Sequence, residues 1–227
     1  MAIVKMGAQD EASEIKFDSS STNLTQTNLQ GVIEELNSKI GTIQFNGDGW
    51  KDNVSVLTDT GDANTRPAYY AIGESSQYFC YHFADNKTQF LQSIFHINHD
   101  IKQGTPMYPH IHWFPSSTST GVVLWELECN IIKGHGQGDV LGAISKTYTR
   151  RIFVNGNGLA YEHMVAEVDD VDALPYSEPD SIVVITLKRI GQDPLDTFVG
   201  DAGAMMVDLH YQSDRETTPN KVPDFYA

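Results

Sequence analysis

Residues 121–133 read GVVLWELECNIIK, and their alternation decides the fold. Val123, Trp125, Leu127, Cys129 and Ile131 fall on one side of an extended chain, while Glu126, Glu128 and Asn130 fall on the other. A period of two is what a strand needs when one face meets a core and the other meets water.

Working outward, comparable short runs recur from about residue 50 onward: NVSVLT at 53–58, PAYYAI at 67–72, QYFCYHF at 77–83, QFLQSIFHI at 89–97 and YPHIHWF at 108–114. YTRRIFV at 148–154, AYEHMVAEV at 160–168, SIVVITLKRI at 181–190 and AMMVDLHYQ at 204–212 complete the set. Gly, Pro, Asn and Asp turns separate them, and strands and helices do not alternate, so a parallel sheet is not expected. The spacing predicts a mainly β protein, an antiparallel jelly-roll-like β-sandwich. GHGQGD at 134–139 reads as a flexible hairpin tip and DDVDALPYSEPD at 169–180 as a solvated acidic loop; neither has the Lys-Ser or Lys-Thr of a phosphate loop.

The N-terminal part has a different texture. Residues 1–21 are polar and unpatterned and read as an extended anchoring arm. Residues 22–41 contain one short amphipathic helix: Thr27 and Gln30 form a capping box, and Gly41 is the stop. Leu29, Ile33, Leu36 and Ile40 are spaced 4, 3 and 4, a two-heptad stripe that makes these residues the candidate oligomerisation contacts of a helical stalk. Residues 42–227 would then be the sandwich domain, ending in a polar tail at 213–227.

Thirty acidic residues against fifteen basic give a formal charge of −15 in 227 residues, which disfavours nucleic acid and anionic membrane as partners. No run approaches a membrane-spanning length, and the N-terminus lacks the cationic start and apolar run of a signal peptide. Cys80 and Cys129 lie in apolar strand-like sequence, as reduced core cysteines do, and a single bridge between them stays open.

The residues with the most chemistry are in GTPMYPHIHWF at 104–114. In a strand His110 and His112 project from one face and can share an ion, with His210, His96 or His99 as a third ligand. Gly104, His110 and His112 resemble the first signature of the cupin superfamily, which implies a metal-dependent enzyme. However, Phe114-Pro115-Ser116-Ser117 stands where the cupin carboxylate belongs, and His210 lacks the Asn of a second signature. Pro109 predicts an edge or bulged strand. The competing expectation is therefore two imidazoles on a polar sheet face or subunit contact, with no catalytic residue, no metal and no cofactor. Glu126 and Glu128 share a strand face, but a carboxylate pair on a wet face specifies little, and Tyr69, Tyr70, Tyr78 and Tyr81 serve sugar stacking or a core equally well. No G-x-S-x-G elbow occurs.

The segment SSSTNLTQTNLQGVIEELNSKIG, through Thr27, Asn28, Gln30, Ile33 and Leu36, resembles a segment recurring in tailed-bacteriophage virion proteins. The stretch PHIHWFPSSTSTGVVLWELE also looks like phage structural proteins. The resemblance implies a virion-located, non-enzymatic homotrimer, a head fibre or capsid decoration protein. Its arm, residues 1–21, would bind capsid or tail proteins, and its distal domain would face host-surface glycan. A tail fibre or tail adaptor follows the same plan.

Overall fold

The computed structural model describes residues 25–42, 49–59, 62–73, 77–137, 144–175 and 177–214, so the expected arm at 1–21 and residues 215–227 of the tail lie outside the described residues. The chain divides into two compact units, Met1–Gly47 and Asp48–Ala227. The first holds helix α1, Leu29–Thr42. Its cap is Asn28 rather than Thr27: the Asn28 Oδ1 accepts the Gly31 N–H at 2.7 Å, as the strong capping preference of Asn allows. Gln30 instead donates to Glu34 (2.7 Å), and Glu35 accepts from the Thr25 amide and hydroxyl and the Gln26 amide, folding the leader onto the first turns. Val32 is buried, Ile33 and Leu36 are exposed, and the side chain of Ile40 lies outside the described residues.

Among its described residues the second unit contains ten strands: β1 Gly49–Ser55, β2 Ala68–Ala71, β3 Phe79–Phe83, β4 Thr88–His96, β5 Met107–Pro115, β6 Val122–Ile132, β7 Ile144–Asn155, β8 Met164–Glu167, β9 Ile182–Ile190 and β10 Ala202–Ser213. All pairings are antiparallel. One sheet runs β2-β3-β10-β5-β8, with β1 added on β10; the other runs β4-β9-β6-β7. The chain crosses between the sheets at β3/β4, β4/β5, β5/β6, β7/β8, β8/β9 and β9/β10, which is the jelly-roll arrangement expected from the spacing of the runs. Trp125 of β6 meets Phe83 (5.2 Å between ring centres) and Trp113 (6.2 Å) of the facing sheet, so the alternation of GVVLWELECNIIK does bury its apolar face. Cys80 and Cys129 are free and buried, and burial pushes both thiols up to about 12.

The two sheets are also joined by a polar device. The side chains of Arg189 of β9 and Asp196 are both fully buried and bonded in bidentate fashion, with Nε donating to Oδ2 (3.0 Å) and Nη2 to Oδ1 (2.9 Å). The remaining guanidinium donors reach the carbonyls of Phe83 at the end of β3 (2.8 Å), Phe198 (2.9 Å) and Gly200 (2.7 Å), just ahead of β10. Asp196 also accepts the Leu124 N–H of β6 at 3.0 Å.

Three local expectations are corrected. β1 starts at Gly49 rather than residue 53, because Trp50 packs edge-on against Tyr108 and the strand pairs with the end of β10; Thr58 then bridges to Gln92 of the other sheet. β8 covers only Met164–Glu167, since Tyr161 takes φ 65° and donates its N–H to the Pro115 carbonyl, breaking the extended run. Pro109 is not on an edge strand, because β5 lies between β10 and β8. It sits just past the register of β8, where no donor is required, and its carbonyl accepts from Val168 (3.4 Å).

On the outside of the larger sheet His82 is buried, stacked on Tyr70 (3.7 Å, 12°) and edge-on to Phe114 (5.5 Å). Phe114 lies across Gly203, where a Cβ would come within 2.1 Å of its ring. Burial lowers the His82 pKa below the ordinary imidazole value, opposed in part by Asp201.

Two outcomes follow for stability. Arg189→Met strands the Asp196 carboxylate in the core, and urea unfolding should lose about 3–5 kcal/mol; a loss under about 1 kcal/mol would show that the pair does not hold the sheets. Because folded His82 stays neutral where the unfolded chain takes up a proton, stability should fall as pH drops below about 6.5, by at most about 1.4 kcal/mol per pH unit for such a group. The urea midpoint measured between pH 7 and 5 should decline less steeply in His82→Phe than in the wild type; equal slopes would contradict this.

Candidate functional site

The strand alternation that sends Ile111 and Trp113 of β5 and Val207, Leu209 and Tyr211 of β10 into the core sends His110, His112, Asp208 and His210 to the other face of the sheet. The register then sets neighbours. Asp208 is directly opposite His110, and His210 is opposite Tyr108 on one side and Asp52 of β1 on the other. Glu167 of β8 is also opposite His110, on the side of β5 away from β10.

The polar atoms converge closely. His110 Nε2 and His112 Nε2 are 3.0 Å apart, and Asp208 Oδ2 lies 3.1 Å from His112 Nε2 and 3.5 Å from His110 Nε2. His112 Nδ1 is 2.7 Å from His163 Nε2, contributed by the residue preceding β8. His210 is gripped by two carboxylates, Asp52 at 2.6 Å and Glu167 at 2.8 Å, and its ring centre is 3.9 Å from that of His110. His110 is 2% exposed and Asp208 4%, and neither His110 Nδ1 nor Asp208 Oδ1 has a hydrogen-bond partner. Burial, reinforced by the neighbouring His210, pushes the His110 pKa below the ordinary imidazole value, with Asp208 opposing.

His110, His112 and Asp208 form one group able to offer three ligand atoms to a metal ion, and Asp52, His110 and His210 form another. Two imidazoles with one carboxylate suit divalent first-row transition ions. The structure thus places His112 with His110 in one group and His210 with His110 in the other. His96 and His99 join neither group. His96 instead contacts Asp180 (2.9 Å), which takes φ 65° and also holds His135.

Asp208, Asp52, Glu167 and His163 are the participants that sequence reasoning missed. The only available signal was Asp208-Leu209-His210, a second x-apolar-x pair on one strand face; Asp208 is 96 residues from His112 and meets it only through the β5–β10 pairing. The carboxylate absent after His112 is supplied from this neighbouring strand.

Beside the cluster lies a cleft of about 420 Å³, with Trp50, Tyr108 and His210 on one side and Glu167, Asp169 and Asp170 on its acidic edge. Elsewhere, Glu126 and Glu128 both engage Lys188 (3.3 and 2.8 Å), and Glu126 also engages Arg151, which makes them a neutralised surface network. Tyr69 stacks with Phe79 and lies tilted against Tyr81, while Tyr78 is exposed.

No protein-family model and no curated protein matches the sequence. Among solved structures, the chain is similar to CBM35 from Cellvibrio japonicus Abf62, at 5% identity and TM-score 0.40, over 73% of this chain and 98% of that one. It is also similar to the enzymatically active domain of bacteriophage CBA120 tailspike protein 4, at 11% identity and TM-score 0.32, over 74% of this chain and 20% of that one. A third is the Clostridium thermocellum xylanase 10B CBM22-1-GH10 structure, at 12% identity and TM-score 0.27, over 77% and 28%. Likenesses this distant bring no ligand or activity to this chain.

Proposed function

We propose that the protein is a non-enzymatic structural component of a tailed-bacteriophage virion, a homotrimeric head fibre or capsid decoration protein. In this reading residues 1–21 attach it to the particle, the α1 segment bundles three copies, and the sandwich is the displayed domain. The observation that carries it is on α1: Ile33 is 43% and Leu36 40% exposed in a single chain, at heptad spacing with Leu29. Exposed apolar side chains repeated along one helix face ask for a partner surface, and identical helices offer a self-complementary one. A tail fibre or tail adaptor uses the same plan. The second reading, a metal-dependent enzyme using His110 and His112, is favoured by the approach of Asp208 to both, yet catalytic metal sites keep an open position and two of these three side chains are almost wholly buried.

Light scattering on the full-length chain at micromolar concentration should read a trimer. The double variant Ile33→Glu, Leu36→Glu should read a monomer with an unchanged β-sheet circular dichroism spectrum. Removal of residues 1–20 should leave the trimer intact and release it from particles. A monomeric wild-type chain would overturn the proposal.

A further inference from the structure

The convergence of His110, His112 and Asp208 is poorly explained as a hydrogen-bond network. Three acceptor-capable atoms, His110 Nε2, His112 Nε2 and Asp208 Oδ2, form a triangle with edges of 3.0, 3.1 and 3.5 Å. One proton on an imidazole satisfies one edge and leaves another with lone pairs facing each other. A tetrahedral zinc with ligands at about 2.0–2.1 Å places its ligand atoms roughly 3.3 Å apart, so the triangle has the dimensions of one coordination face.

Two further observations point to a cation. Asp208 is 4% exposed, and its Oδ1 has no hydrogen-bond partner, so a carboxylate is held out of water with incomplete compensation. His112 Nδ1 is 2.7 Å from His163 Nε2. When His112 donates from Nδ1 to that imidazole, its Nε2 carries a lone pair aimed at the triangle, which is how an outer partner fixes the tautomer of a ligating histidine. The three donors come from two adjacent strands in fixed register, β5 and β10, a rigid base for a site.

We propose that His110, His112 and Asp208 bind one divalent transition-metal ion, of which zinc is the type, as three protein ligands on one coordination face, and so fasten β5 to β10 from outside the core. His163 is a positioning residue for His112. His210, held by Asp52 and Glu167 with its ring tilted against that of His110, borders the site on the side of the cleft.

The test is isothermal titration of chelator-stripped full-length protein with zinc chloride, together with the thermal midpoint with and without zinc. The expected result is one ion per chain and a raised midpoint, with magnesium giving neither. His112→Asn and Asp208→Asn should weaken binding by about 100-fold or more, and His163→Asn by about 10- to 100-fold. His96→Asn, outside the site, should bind as the wild type does. If a ligand variant fails to fold, cobalt(II) loaded into the wild type should still give the intense visible absorption of a four-coordinate site. Absence of stoichiometric zinc binding by the wild type overturns the proposal. So does binding that survives Asp208→Asn but is lost in His210→Asn or Asp52→Asn, which would move the ion to the neighbouring group.

Discussion

The Arg189–Asp196 pair is the constraint on which the geometry of the sandwich rests. A guanidinium and a carboxylate with no exposure are tolerable only when nearly every polar atom is matched. Here the match is made with the end of β3, the 196–200 loop and the N–H of Leu124 in β6. The pair thereby joins elements of both sheets at one point. Through the carbonyl of Gly200 it also fixes where the chain enters β10, two residues before that strand begins at Ala202.

That entry point matters because β10 is the strand on which the larger sheet is assembled. It pairs with β5 along one edge and with β1 and β3 along the other. Strand register is strict in its effect: a slip of one residue would turn Asp208 and His210 toward the core and Val207 and Leu209 toward solvent. The irregularity between Ala204 and Met206 shifts the pairing once, after which Asp208 lies opposite His110 and His210 opposite Tyr108. The polar cluster is thus a consequence of the same anchoring that orders the core. A metal at His110, His112 and Asp208 would reinforce β5 against β10 midway along β10.

The fold was legible because it depends on local alternation. Val123 through Ile131 announce a one-sided strand without reference to any other residue, and nine further runs repeat that signal at jelly-roll spacing. Half of the site was legible for the same reason, since His110 and His112 share a face by parity alone. The other half depended on non-local pairing. Asp208 reaches His110 only through the β5–β10 register, and Asp52 and Glu167 arrive from two more strands. The errors at strand ends were of the same kind: β1 is held by Trp50 against Tyr108 and Pro109 is accommodated by where β8 stops, and neither fact is written in the local sequence.

The proposed metal-binding face on the outside of the jelly roll stands on the register set through β10. The direct measurement is anomalous X-ray diffraction at the zinc edge from crystals of the full-length protein loaded with zinc. One strong peak per chain is expected, about 2.0–2.2 Å from His110 Nε2, His112 Nε2 and a carboxylate oxygen of Asp208. A zinc-saturated crystal with no peak there, or with its peak at His96, Asp180 and His135 instead, would contradict it.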